Sequence, residues 1–341
     1  MFKVGLTRDF LTPEGNLTYK SIGLDILDNT PNIQYEFLKE NHSPVTPDMI
    51  KEYNAIISLA PSYNSKSFEG ISDLYAICRF GVGYDMVDIE ACNRANIMLT
   101  ITRGAVNYSV AEAVISWMLA LSHRIFEKDR LVRDGKWLER SNYMGTELRG
   151  KTLGIIGIGG IGGRLVEMLK IFNMNTILAY DPHADKSRTE SLGVQLVDIE
   201  TLMKKADFVS LNCPLNEETR NLIGKSELQL LKKEAYIINT ARGGIINTEA
   251  LVETLINNKI AGYATDVFDN EPPCIDDPLF KLKNVILAPH CIAWTHELFE
   301  EIGRTVCNQV VQISKGEIPS HVVNVEVLKN NRFQHHSKLI L

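Results

Sequence analysis

Three residues able to handle a carboxylate and a proton stand just beyond apolar runs in the second half of the chain. Arg242 follows "AYIINTA", Glu271 lies in "DVFDNEPP", and His290 closes "NVILAPH". A short apolar run that ends in polar, glycine or proline residues reads as a buried strand, and in an open parallel sheet ligands lie beyond the carboxyl ends of the strands. Topology would then gather an arginine, a carboxylate and an imidazole at one sheet edge. The planar guanidinium fork suits a substrate carboxylate. The imidazole can exchange a proton with a substrate oxygen, and a neighbouring carboxylate would orient the ring and raise its pKa. Taken singly, each has an ordinary alternative: a surface arginine beside Gly243 and Gly244, a loop carboxylate before two prolines, a structural histidine after a proline.

The residues Gly157, Gly159 and Gly162 supply the partner for that chemistry. They form G-x-G-x-x-G between the strand-like "TLGII" and the helical "RLVEMLKIF", the order required for a dinucleotide loop. Gly157 would allow the tight turn, Gly159 the approach of a pyrophosphate, and Gly162 close packing of the helix on the strand. The helix N-terminus would face the anion with free N–H groups. A second strand, "TILAYD", places Asp181 at its end, 24 residues beyond Gly157. Its carboxylate would accept hydrogen bonds from ribose hydroxyls and repel a 2'-phosphate, which favours NAD over NADP. A glycine-rich turn followed by a surface aspartate is the structural alternative.

These motifs need elements to position them. The first hundred residues alternate "FKVGL", "AIISLA", "YAICRFGVG" and "IMLTIT" with helix-length segments, and a second series begins near residue 151. Two parallel α/β sheets follow. Between them, "VAEAVISWMLALSHRI" repeats Val110, Val114, Trp117, Met118 and Leu121 at helical spacing, which predicts one long helix at a domain or subunit boundary. The tail "NNRFQHHSKLIL" reads as partly mobile.

The 341 residues are 45% hydrophobic and 23% charged, with a formal net charge of -6. That composition suits two globular domains, and the lack of a dense Lys/Arg block argues against nucleic-acid or membrane partners. No stretch reaches the length of a membrane span, and "MFKVGLTRDF" lacks a secretory h-region, so the cytoplasm is the expected location. The six cysteines show no zinc spacing, so no metal is expected and the thiols are read as reduced. Cys291 beside His290 raises a Cys/His nucleophilic pair, although sequence neighbours in extended chain point apart.

The ordered motifs "RFGVGYDMVDI", "NYSVAEAV", "GIGGIG", "CPLNEETRNLI", "NTARGGIIN", "ATDVFDNEPP" and "APHCIAW" resemble the D-isomer-specific 2-hydroxyacid dehydrogenases over nearly the whole chain. The resemblance implies an α/β fold of two Rossmann-like domains, a central NAD-binding domain inserted into a flavodoxin-like substrate domain. The boundaries expected are 1–102 and 293–341 for the substrate domain and 103–292 for the NAD domain. It implies catalytic roles for Arg242, Glu271 and His290, and substrate contacts from backbone groups of Val82 and Gly83. Gly160, Ile161, Asp181, Cys213, Thr240 and Asp266 should line the cofactor together with the loop glycines. The helix after Arg103 resembles the family's dimerisation element, which implies a homodimer.

Some positions depart from the common pattern. Thr102, Arg103 and Gly104 replace Thr-Pro-Gly, so Arg103 either meets an extra anionic group or bonds to nearby carbonyls. The loop "PSYNSKSF" lacks an early arginine typical of phosphoglycerate enzymes, though Arg79 and Lys66 remain available. Trp294 resembles the aromatic of glycerate and hydroxypyruvate enzymes, or is a core or interface tryptophan. The expected reaction is reversible hydride transfer between NAD(H) and a small 2-hydroxy or 2-oxo acid of the hydroxypyruvate/glyoxylate (glycerate) type. The alternatives are a D-3-phosphoglycerate dehydrogenase without regulatory domains, for which no room is seen after the last helix, and an NAD(H)-sensing corepressor-like module. Enzymes acting on phosphite or formate fit less well, since formate enzymes resemble this pattern with glutamine where Glu271 stands.

Overall fold

The computed structural model describes residues 1–334; the tail expected to be mobile lies largely beyond them, at 335–341. Cα packing divides the chain into two compact units, Met1–Val106 with Trp294–Leu341, and Asn107–Ala293.

The first unit holds five parallel strands, β1 (Phe2–Leu6), β2 (Ile33–Phe37), β3 (Ala55–Ser58), β4 (Ala76–Arg79) and β5 (Met98–Thr100), in the order 2-1-3-4-5. This is the flavodoxin-like order. The inner strands are apolar because both faces are covered: Ala55, Ile56, Ile57, Ala76, Ile77 and Cys78 are all buried. β2 is absent from the strands expected from sequence. It is an edge strand whose residues alternate half-buried and exposed, so "IQYEF" has no apolar run to betray it. The C-terminal segment is tied back by buried polar side chains. The Leu99 N–H donates to Asn324 Oδ1 at 2.8 Å, and Gln309 Nε2 donates to the Ile101 and Ser320 carbonyls at 2.9 and 3.0 Å. Such satisfied buried groups fix a register that apolar packing alone leaves loose.

The second unit holds seven parallel strands: β6 (Thr152–Ile156), β7 (Thr176–Tyr180), β8 (Gln195–Leu196), β9 (Phe208–Leu211), β10 (Tyr236–Asn239), β11 (Gly262–Thr265) and β12 (Val285–Leu287). Their order, 12-11-10-9-6-7-8, is the Rossmann arrangement extended by one strand, with its crossover point between β6 and β9. Two residues long and exposed, β8 also went unforeseen.

The long helix is shorter than its apolar pattern suggests. It spans Asn107–Ser122, and a second helix, Ile125–Arg133, starts after Arg124 takes a left-handed φ of 56°. Most of its apolar stripe is buried, while Val110 is only partly so. Ala111, Val114, Trp117, Met118 and Leu121 are buried with Leu153, Ile155, Leu165 and Val166 in the core of the second unit. Each such large side chain contributes about 1.5–3 kcal/mol by leaving water.

Candidate active site

At β6 the chain turns through Gly157, whose φ is 90° and whose N–H donates to the Tyr180 carbonyl at 3.0 Å. A β-carbon there would stand 2.8 Å from the Cys213 amide nitrogen, so only glycine lets this turn pass under the end of β9. A β-carbon at Gly162 would meet the Gly157 carbonyl at 2.6 Å, which is how the helix Gly160–Leu169 comes to lie against the strand. Gly159 differs from both. Apart from its chain neighbours, no atom of the described residues lies within 4 Å of where its β-carbon would be. The bare backbone faces open space at a helix N-terminus, as a pyrophosphate cradle requires.

Asp181 follows β7, and its two carboxylate oxygens accept the Ile158 and His183 N–H groups at 3.0 and 2.9 Å. The carboxylate is thus clamped to the glycine loop with lone pairs to spare for ribose hydroxyls. Ile161, Cys213 and Thr240 are partly buried along the same carboxyl edge, as is Gly160. The Cys213 thiol is pushed up to about 11 by burial, so it serves as lining rather than as a nucleophile. Asn212, which sequence reasoning missed, presents a buried Oδ1 with no hydrogen-bond partner among the described residues. Its Nδ2 donates to the Ser210 carbonyl and hydroxyl at 3.3 and 3.1 Å. An orphaned acceptor beside the glycine loop fits a cofactor that brings a donor.

The three residues with acid-base or carboxylate chemistry come from adjacent strands β10, β11 and β12. Glu271 Oε2 lies 2.6 Å from His290 Nδ1, and Glu271 Oε1 accepts the Phe268 N–H at 3.0 Å. Burial pushes the Glu271 carboxyl upward, but the hydrogen bonds from His290 and Phe268 and the positive charges of His290 and Arg242 outweigh it and hold the group below its usual value. An ionised Glu271 accepts, so Nδ1 bears the proton and Nε2 is the ring nitrogen left for a ligand. His290 itself takes a φ of 53°, and its N–H donates to the Asp266 carbonyl at 2.9 Å.

Asp266 is 5% exposed and grips the next two residues: Oδ1 accepts the Cys291 N–H at 2.9 Å, and both oxygens lie 3.2 Å from the Ile292 nitrogen. Burial raises its carboxyl to about 6, against the lowering effect of those amides. The Cys291 thiol is also pushed up, by burial and by Asp266. That is the opposite of what a Cys/His nucleophile needs.

Arg242 is extended at φ -152°, and its Nη1 donates to the Ala241 carbonyl at 2.7 Å. A β-carbon on the next residue, Gly243, would fall 2.2 Å from the Phe268 carbonyl carbon. The glycine therefore brings the Arg242 turn directly against the loop that holds Glu271.

In the first unit, Val82 and Gly83 follow β4 in a partly buried loop, and their amides donate no hydrogen bond among the described residues. Arg79 turns inward, with Nη1 donating to the Phe80 carbonyl. Lys66 is exposed. Arg103 is exposed as well and makes no hydrogen bond or ion pair among the described residues, so the alternative in which nearby carbonyls hold it is corrected. Trp294 is 51% exposed and packs edge-on against Tyr19 and Phe299. The described residues contain no cluster of three or more His, Cys, Asp or Glu able to hold a metal. No helix among them is long and apolar enough to cross a membrane.

A Rossmann sheet with a glycine cradle, a ribose-side aspartate and a His–Glu pair defines a nicotinamide-dependent oxidoreductase. Residues 115–291 match the family described as "D-isomer specific 2-hydroxyacid dehydrogenase, NAD binding domain". The chain belongs to this family. It is 38% identical to glyoxylate reductase from Thermococcus litoralis over 87% of its own length and 92% of that protein. It is 43% identical to D-3-phosphoglycerate dehydrogenase from Methanocaldococcus jannaschii over 75% of its length, but spans only 49% of that longer protein. Among solved structures, a glyoxylate reductase from Paecilomyes thermophila superposes with a TM-score of 0.80 at 26% identity, covering 94% of this chain and 98% of that one. The protein is therefore an NAD-dependent oxidoreductase acting on the CH–OH group of 2-hydroxy acids.

Proposed function

We propose that this dehydrogenase interconverts a small 2-oxo acid of the glyoxylate or hydroxypyruvate type with its 2-hydroxy acid, using Arg242, Glu271 and His290. The observation that carries the reading is the 2.6 Å His290–Glu271 pair beyond the ends of β11 and β12, on the same sheet edge as the Arg242 turn. NAD(H), when bound, accepts or supplies the hydride. Gly157, Gly159, Gly160, Ile161 and Gly162 would hold its pyrophosphate, Asp181 its ribose, and Cys213, Thr240 and Asp266 its remaining edge. Arg242 binds the substrate carboxylate and draws charge toward the neighbouring carbonyl. His290 gives a proton from Nε2 to the substrate oxygen in reduction and takes it back in oxidation, while the Glu271 carboxylate steadies the charged ring. Val82 and Gly83, whose amides donate no hydrogen bond among the described residues, are the substrate contacts that the family resemblance implies. Support for the glyoxylate type comes from the relative from T. litoralis, which this chain nearly spans, whereas it spans about half of the phosphoglycerate dehydrogenase.

Arg242→Ala tests the assignment. Losing a charge-assisted, bidentate anchor should lower kcat/KM for the 2-oxo acid about 10²-fold or more while NADH affinity stays nearly intact. Unchanged turnover would remove Arg242 from the site.

A homodimer completes the reading. Exposed apolar side chains concentrate between residues 108 and 144, among them Phe126, Trp137 at 61%, Leu138 at 88% and Met144 at 78%. Exposed apolar side chains gathered in one stretch of chain favour a protein contact. Sedimentation should report twice the mass of one chain, and a monomer would refute it. The six free thiols suit a reducing cytoplasm.

A further inference from the structure

Arg242 has to project its guanidinium from a turn just beyond β10, and a turn is a poor platform unless its backbone is held. The last residue of β10, Asn239, is fully buried. Its Oδ1 accepts the Ala241 N–H at 3.0 Å, and its Nδ2 donates to the Arg242 carbonyl at 2.9 Å. One side chain thus satisfies a donor and an acceptor on consecutive residues of the turn. Its main-chain carbonyl accepts the Asp266 N–H at 3.1 Å, and the Asp266 carbonyl in turn accepts the His290 N–H at 2.9 Å. The Thr265 hydroxyl, buried beside it, spans 3.4 Å to the same Asn239 carbonyl and 2.8 Å to that of Val267. Arg242 and His290 are in this way suspended from neighbouring strand ends, with Asn239 at the join.

We infer that Asn239 is a positioning residue whose side chain sets the Arg242 turn, and through it the seat of the substrate carboxylate. The inference rests on the reading of Arg242 as the carboxylate ligand. An aspartate at 239 keeps the size and the acceptor for the Ala241 N–H. It loses the donor and sets an oxygen against the Arg242 carbonyl, which costs a buried hydrogen bond and adds repulsion. A serine is too short to reach both groups. Neither change touches the main-chain link from Asn239 through Asp266 to His290.

The test is a double-mutant cycle. Asn239→Asp and Asn239→Ser are made in the wild type and in Arg242→Ala, and each protein is assayed with NADH and the 2-oxo acid the wild type reduces best. NADH affinity is read from fluorescence. The expected result in the wild-type background is a rise of about tenfold or more in KM for the acid. NADH affinity should stay within about twofold and the pH profile unchanged, because His290 keeps its place. In the Arg242→Ala background the same substitutions should change kcat/KM by less than about twofold, since residues acting as a unit are not additive. Three results overturn the inference. One is an unchanged KM. Another is an undiminished effect once Arg242 is gone. The third is loss of NADH binding in both Asn239 variants, which would make the residue part of the scaffold. If Arg242→Ala alone leaves activity intact, the failure lies in the reading of Arg242, and that arm of the cycle identifies it directly.

Discussion

Asp266 and Glu271 show how two carboxylates of like chemistry are driven apart by their surroundings. Glu271 faces an imidazole and lies within the field of Arg242, so it stays ionised below its usual range and remains an acceptor for His290. Asp266 is enclosed, and burial lifts it to about 6. For Asp266 the folded pKa lies above the unfolded 3.8, so the folded chain binds the proton more tightly. Stability is therefore lost as pH rises from about 4 through about 6, and above that range the penalty is fully present. Asn at 266 keeps an acceptor for the Cys291 N–H and has no charge to bury. The thermal midpoint of Asp266→Asn relative to wild type should rise across that window and level off above it, measured by calorimetry at several pH values. A difference that does not change with pH would show that Asp266 is not raised.

At the level of elements, the glycine loop separates two jobs that the motif alone runs together. Gly157 is required by the protein: its positive φ and the 2.8 Å approach to the Cys213 nitrogen leave no room for a side chain. Gly159 is open to a ligand. Gly157→Ala should lower the thermal midpoint by several degrees, a cost of about 1–2 kcal/mol from the left-handed backbone plus the clash. NADH affinity should fall with it. Gly159→Ala should leave the midpoint almost where it was and still weaken NADH by tenfold or more, since a methyl group would take the place of the pyrophosphate. Equal loss of stability in both variants would deny that division.

This division also marks what the sequence could disclose. The inner strands were legible because burial on both faces makes "AIIS", "TLGII" and "YIIN" continuous apolar runs, and the glycine spacing was legible because Gly157 and Gly162 leave no room for a side chain while Gly159 is left open for a ligand. The edge strands β2 and β8 lack such runs, and the break at Arg124 has no proline or glycine to announce it. Arg242, Glu271 and His290 could be seen as strand-end residues, but the 2.6 Å pairing and the Gly243 approach depend on loops folding back on one another. Asn239 and Asn212 escaped notice for a related reason. An asparagine at a strand end is an ordinary turn residue until its side-chain partners are known.

For the whole molecule, the units have different origins of order. One is a flavodoxin-like sheet closed by the returning C-terminal segment through Asn324 and Gln309, and the other is a Rossmann sheet carrying every acid-base group of the site. Fold of this kind supports many oxidoreductases, so the substrate has to be decided by the site. The most direct measurement is NADH oxidation by the purified protein against glyoxylate, hydroxypyruvate, phosphohydroxypyruvate, pyruvate and bulkier 2-oxo acids, with NADPH in parallel. The account predicts turnover of glyoxylate or hydroxypyruvate, with NADH preferred over NADPH because of Asp181. A protein that binds NADH yet reduces none of these acids would contradict it and favour an NADH-sensing role.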